Sequence, residues 1–454
     1  MLSPMVSSLA WSALCVSNFS FSQSPFMSSN PLHREIQTRV QEEYPTLEAL
    51  YKHLHANPEL SFQEEKTAKR VATELEQTGF VVTRGVGGYG VVALLKNGNG
   101  PTVLVRTDLD ALPVTENTGL PYASKIRARD QQGNDVGVMH ACGHDIHMTS
   151  FIGTARLLCR LREKWRGTLV FIGQPAEERG GGAKAMLADG LFTKFPRPDY
   201  GVAWHVAADM PTGAVGYCEG YALANVSSVD LMVRGVGGHG AYPHTTKDPI
   251  VIASQIVLAL QTIVSREVKP IEAAVVTVGS IHGGTKHNII PDDVHLQLTV
   301  RSYTDAVHEQ ILRAIERISQ NIARAAGVPE DRLPIMKTGD EFTPSTYNDP
   351  PLVKKITKSM QAILGEDKVV MKEPVMGGED FGRYGRTDDK IPIALFWLGA
   401  ISPERVQQSL AKNESLPSLH SNLFAPVPEP TIKTGVAAMT AAVLDLLASQ
   451  KGLK

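Results

Sequence analysis

Cysteine is scarce in this chain of 454 residues. Its four cysteines, Cys15, Cys142, Cys159 and Cys218, are irregularly spaced and make no disulfide framework. Charge of one sign is lacking too: 45 basic residues stand against 47 acidic ones, a formal net charge of −2. No basic block stands out, so a nucleic-acid partner has no electrostatic support. Past the N-terminus, no run approaches the roughly 18 consecutive apolar residues of a membrane span, and no membrane partner is expected. Internal repeats are absent. What is present is ordinary globular composition, 43% hydrophobic and 20% charged. The length exceeds what one hydrophobic core usually serves, so two domains are expected.

Residues 1–30 read as a signal peptide or a disordered extension. Met1 to Met27 contains no Lys or Arg and is rich in Ser and hydrophobics. The apolar stretch near Leu9–Phe21 suits a secretory signal, but the positive leading region is missing. Met27 is an alternative initiator, and localisation stays open.

Helical and strand patterns then alternate. Helices are expected at Leu32–His55, Ser61–Thr78, Asp145–Trp165 and Ala183–Phe192. Strands are expected at Phe80–Thr83, Val91–Leu95, Thr102–Thr107, Thr168–Ile172 and Tyr200–Trp204, the last ending at His205. Such alternation argues for an α/β sheet with covering helices. Around Asn225 the pattern changes to β-α-β-β-α with a possible closing strand, a ferredoxin-like unit. After about Lys337 the α/β pattern resumes. The expected architecture is a catalytic α/β domain, residues 31–222 and 337–454, interrupted by a smaller α+β domain at 223–336.

Four segments place ligand-type side chains after apolar strands or beside Gly and Pro. They are Asp108-Leu-Asp110, His140-Ala-Cys142-Gly-His144-Asp145-Ile-His147, Glu177-Glu178 and Trp204-His205. In open α/β sheets, sites form beyond the carboxyl ends of strands. A thiolate and an imidazole two residues apart can turn toward one zinc-like ion, and carboxylates extend the range to manganese. The same segment also suits a helix start capped by Asp145. Adjacent carboxylates at Glu177-Glu178 allow one to hold a cation while the other acts as a base on water; an isolated pair equally suits a solvated surface. His205 and His420 taken singly suit structural hydrogen bonding. In the inserted domain, Gly-flanked His239, together with Asn288 and Arg301, can form a second wall that holds an oxyanion and a carboxylate, or can be turn and surface residues.

Together these segments resemble the amidohydrolase branch of the aminoacylase/carboxypeptidase metallohydrolase family, which includes hippurate hydrolases and auxin-conjugate hydrolases. The resemblance rests on His53-Leu-His55-Ala-Asn-Pro58-Glu59-Leu60-Ser61, Asp108-Leu-Asp110-Ala-Leu-Pro113, His140–Asp145, Pro175–Glu178, Gly238-His239-Gly240 and Gly377-Gly-Glu-Asp-Phe381, in the family's order. It implies two divalent metal ions per subunit (Mn, Zn, Co or Ni) held by Cys142, His144, Glu178, His205 and His420. It implies Glu177 as the general base and Asp110 as a group that orients the ligands. His239, Asn288 and Arg301 would face the substrate from a lid and dimerisation domain, with His239 reaching a partner subunit's site. The implied substrate is a small-molecule N-acyl or N-aroyl amino acid and the implied assembly a homodimer or larger homo-oligomer. A dipeptidase or N-deacetylase is the nearest alternative. A non-catalytic binder is a further one, against which the intact Glu177 argues.

Overall fold

The structure, a computed structural model, describes residues 28–339 and 342–448. The signal-peptide expectation lies outside the described residues as far as residue 27. The first helix, Pro31–Ala56, starts on Asn30, whose side chain accepts a hydrogen bond from the Leu32 amide, with Pro31 preset for the first turn. Its apolar stripe of Ile36, Val40, Leu47, Tyr51 and Leu54 is buried.

An eight-stranded mixed sheet forms the centre. Its order is Val81–Arg84, Val91–Asn97, Gly167–Gln174, Thr102–Asp108, Tyr200–Pro211, Ile393–Ile401, Val215–Tyr217 and Val369–Met371. The four middle strands run parallel, and antiparallel pairs flank them. The side chains of Thr102–Asp108 alternate between two cores, as a pleated strand requires. Val103 and Val105 join the cluster under helices Pro31–Ala56, His144–Arg160 and Pro428–Ala448, while Leu104 packs with Ile172, Ala203 and Phe381 on the other face. Both faces are covered, which accounts for the unbroken apolar run of this strand.

The second sheet is antiparallel, in the order Ala274–Gly283, Asp293–Ser302, Asn225–Arg234 and Ile335–Thr338. With helices Pro249–Thr262 and Asp305–Ala325 it is a complete β-α-β-β-α-β unit, closing strand included. The helices cover one face through Ile252, Ile256, Ile311 and Ile315.

Three details depart from the sequence expectations. The second helix starts at Glu65, not Ser61, because Leu60 bridges to Ala111 and Phe62 adopts a left-handed φ of 65°. The strand at Tyr200 does not end at His205 but continues to Pro211, held by the neighbouring Ile393–Ile401. Two helices, Pro249–Glu267 and Pro428–Ala448, have the length and apolar content of a membrane span although no single run is continuous. The second is a core helix, with 83% of its most apolar 18-residue stretch buried; in the first that share is only 33%.

Candidate metal centre and active site

The parallel strands deliver the site residues to one edge. Asp108 closes its strand, and Asp110 follows two residues on. Helix His144–Arg160 begins after Gly143, whose φ of 76° and whose closeness to Val206 (an added Cβ would lie 2.5 Å from Cγ2) both demand glycine. This turn sets Cys142 just before the helix and His144 in its first turn. After strand Gly167–Gln174 the chain reverses at Ala176, with φ 47°, and presents Glu177 and Glu178. The buried Glu64 carboxylate holds that reversal by accepting the Ala176 amide at 2.7 Å.

Hydrogen bonding decides which imidazoles can bind a ligand. The Nδ1–H of His144 donates to the Asp110 carbonyl at 2.8 Å, leaving a buried Nε2 with no partner. The Nδ1–H of His205 donates to the Val206 carbonyl at 2.8 Å, leaving Nε2 3.5 Å from Cys142 Sγ. His147 is different: its Nδ1–H donates to Asp108 at 2.8 Å and its Nε2 accepts the Val206 amide at 2.8 Å. Both of its ring nitrogens are engaged, so it braces the site without offering a lone pair. His420 Nε2 lies 3.5 Å from Glu178 Oε2, and His144 Nε2 lies 3.7 Å from Glu178 Oε1. The donor atoms of Cys142, His144 and His205 form one group within 4.8 Å; those of Cys142, Glu178 and His420 form another.

The charge balance of the site favours binding of a cation. Asp108, Asp110, Glu177, Glu178, Glu379 and Asp380 converge on this edge, all buried or nearly so. Arg106 is the buried guanidinium among them, bonded to Asp108 at 2.7 Å and Glu379 at 2.9 Å. One guanidinium, even with the His144 ring as an imidazolium, does not offset six carboxylates. Burial, then Glu379 and Glu178, pushes the Glu177 carboxyl well above the usual carboxylate range. Burial with Asp110 nearby pushes Glu178 up to about 7, against the pull of His144. Burial opposes charge on His144, but Asp108, Asp110 and Glu178 outweigh it and raise its pKa to about 10. His205 falls to about 3, first through burial and then through His147. A cation at the free Nε2 of His144 would replace the proton that these carboxylates attract. The orphaned Nε2 and Glu178 Oε1 therefore fit a metal ion, as does the mix of thiolate, imidazole and carboxylate donors.

Residues 104–445 match the family profile described as Peptidase family M20/M25/M40. The chain belongs to this family. It is accordingly a hydrolase of amide bonds. Among its relatives, the hippurate hydrolase of Campylobacter jejuni is 39% identical over 73% of this chain and 82% of its own length. An IAA-amino acid hydrolase of Arabidopsis thaliana is 35% identical over 81% of each chain. Among solved structures, a Bacillus subtilis protein described as a dinuclear metal binding peptidase of the family superposes with a TM-score of 0.71. It is 29% identical, over 91% of this chain and 99% of its own. The amidohydrolase branch inferred from the motifs is thus borne out.

Within this M20-family chain, Cys142, Glu177, Glu178, His205 and His420 all line one cavity of about 340 Å³, and His144 lies directly beneath. Asp110 steadies the cluster from below: its carbonyl holds His144, and its carboxylate accepts Ser61 Oγ at 2.6 Å and the Glu178 amide at 3.0 Å. From the inserted unit, Arg301 reaches the cavity, where its guanidinium donates to the Met376 carbonyl at 2.7 Å. His239 and Asn288 do not. Both are exposed, His239 on and Asn288 beside the two-stranded ribbon of Gly238–His239 and Ile289–Ile290, where the Gly240 amide donates to the Asn288 carbonyl. Sequence reasoning gave no role to Arg106, Glu64, His147, Glu379 or Asp380. An arginine inside the apolar strand Thr102–Asp108 was the available signal, since a buried charge needs partners; Glu379-Asp380 after two glycines supplied them.

Proposed function

We propose that the protein hydrolyses the amide bond of N-acyl or N-aroyl amino acids, releasing a carboxylate and an amino acid. The supporting observation is the convergence of ligand-ready donors and a buried Glu177 in a cavity that also carries Arg301. Relatives described as hippurate and IAA-amino acid hydrolases favour this substrate class.

Cys142, His144, Glu178, His205 and His420 would hold two divalent ions. Bound there, such ions lower the pKa of water and polarise a carbonyl. Glu177 takes the proton of the attacking water and returns it to the departing nitrogen. The buried surroundings of Glu177, which raise its proton affinity, suit the second half of that cycle. The fixed Nδ1–H bonds of His144 and His205 hold their Nε2 lone pairs in place. Arg301 binds the carboxylate of the amino-acid part.

The same reading assigns His239 and Asn288 to the site of a second copy in a homodimer. Its support is apolar surface on the inserted unit. Val251, Leu258 and Ile281 are exposed there, on helix Pro249–Thr262 and on the edge strand Ala274–Gly283. A monomeric mass by light scattering would refute this part.

The catalytic reading is tested with benzoyl, acetyl and dipeptide substrates on metal-defined protein. Release of amino acid from benzoyl-glycine, abolished by chelation and restored by a divalent ion, is expected. Full activity after thorough chelation, or cleavage of dipeptides alone, would overturn it.

A further inference from the structure

A second groove opens beside the catalytic cavity and shares walls with it. Val375, Gly377, Trp397 and Leu419 line both spaces. The groove encloses about 610 Å³, more than the cavity itself. One side is the helix Pro403–Lys412, which starts on Ser402 directly after the strand Ile393–Ile401 and contributes Val406 and Leu410. Leu410 is 58% exposed, a large apolar side chain on an open groove wall. The charged residues of the lining are Asp209 and Lys372, and they bond to each other at 2.6 Å. That pairing leaves no net charge in the groove for an ionic ligand. Exposed apolar surface continuous with a reactive cavity is the usual signature of a binding subsite.

Resting on the reading of the cavity as an N-acyl amino acid site, we propose that this groove binds the acyl side of the substrate and selects medium-length alkyl chains over acetyl. The arginines of the cavity lining, Arg179 and Arg301, line the cavity but not the groove, so the amino-acid carboxylate belongs to the cavity. The groove therefore falls to the part of the substrate beyond the scissile carbonyl. An acetyl group has only a methyl there and leaves the groove unfilled. Each methylene that moves from water onto this wall multiplies kcat/KM by roughly three to four, until the groove is full. Val406 and Leu410 set the preference, because they line the groove and not the catalytic cavity.

The test uses the metal-loaded full chain and a series of N-acyl-glycines from acetyl to octanoyl. The expected result is kcat/KM at least tenfold higher for octanoyl than for acetyl. In Leu410→Asp and in Val406→Asp the octanoyl-to-acetyl ratio falls tenfold or more. A wild-type ratio near one, or a ratio unchanged in both variants, overturns the proposal. Calorimetric titration with octanoate separates this from the catalytic reading. If no N-acyl-glycine is cleaved, yet octanoate binds wild type and binds Leu410→Asp at least tenfold more weakly, the reaction assignment fails and the groove assignment stands. Equal octanoate affinity in both proteins, or none in either, removes the groove assignment.

Discussion

Replacing His55 with glutamine probes the charge network under the candidate metal centre. His55 is 1% exposed and bridges two buried carboxylates, with Nδ1 2.7 Å from Asp145 and Nε2 3.0 Å from Glu116. Both ring nitrogens must donate, so the ring is an imidazolium. Burial opposes this charge, but Asp145 and Glu116 outweigh burial and raise the pKa from 6.5 to about 10. A shift of this size corresponds to roughly 4–5 kcal/mol of folding free energy. The folded pKa lies above the unfolded one. The contribution is therefore complete below pH 6.5 and fades as the pH rises through 10. Glutamine carries no charge and leaves two buried carboxylates without a cation, a loss of roughly 3–5 kcal/mol at pH 6. Scanning calorimetry of chelator-treated wild type and His55→Gln at pH 6 and pH 10.5 reads the effect, since the difference between the two proteins cancels other titrations. A Tm gap of about 5 °C or more is expected at pH 6, shrinking markedly at pH 10.5. Equal Tm values at pH 6, or a gap that does not change with pH, would refute the imidazolium bridge.

Glu177→Gln should keep its metal content but lose turnover by roughly 10²–10⁴-fold, the usual worth of a positioned base; paired metal analysis and rate measurement check this, and a near-normal rate removes Glu177 from the role. Cys142→Ser should weaken metal binding, because a hydroxyl is a poor replacement for a soft thiolate; unchanged metal content after dialysis would argue against Cys142 as a ligand. Arg106→Leu strips the guanidinium from Asp108, Glu379 and Asp380, and a loss of about 3–5 kcal/mol is expected from thermal or denaturant unfolding.

The local patterns of the chain were enough to name most of its elements, and its motifs taken together pointed to its family. Apolar runs buried on both faces and helical stripes depend on neighbours in sequence, and they marked the α/β order and the inserted β-α-β-β-α pattern, whose closing strand Ile335–Thr338 the structure supplied. Cys142-Gly-His144 and Glu177-Glu178 carry ligand-type donors close together in sequence, but each alone also suited a structural reading, and only their shared order with the other motifs pointed to a metallohydrolase. Tertiary structure decided what depends on distant partners. His147 shares the ligand-type segment of Cys142 and His144 without being among the implied ligands, and Asp108 and the Val206 amide occupy both its nitrogens. His205 looks like a strand terminus, yet pairing with Ile393–Ile401 carries its strand on to Pro211. Arg106 and Glu379 meet across 273 residues, and helix Pro403–Lys412, with no buried residues of its own, acquires a role only from the groove it walls. Hydrogen-bond saturation and charge balance are properties of the assembled site, because each is settled by every group within a few ångströms, whatever its place in the chain.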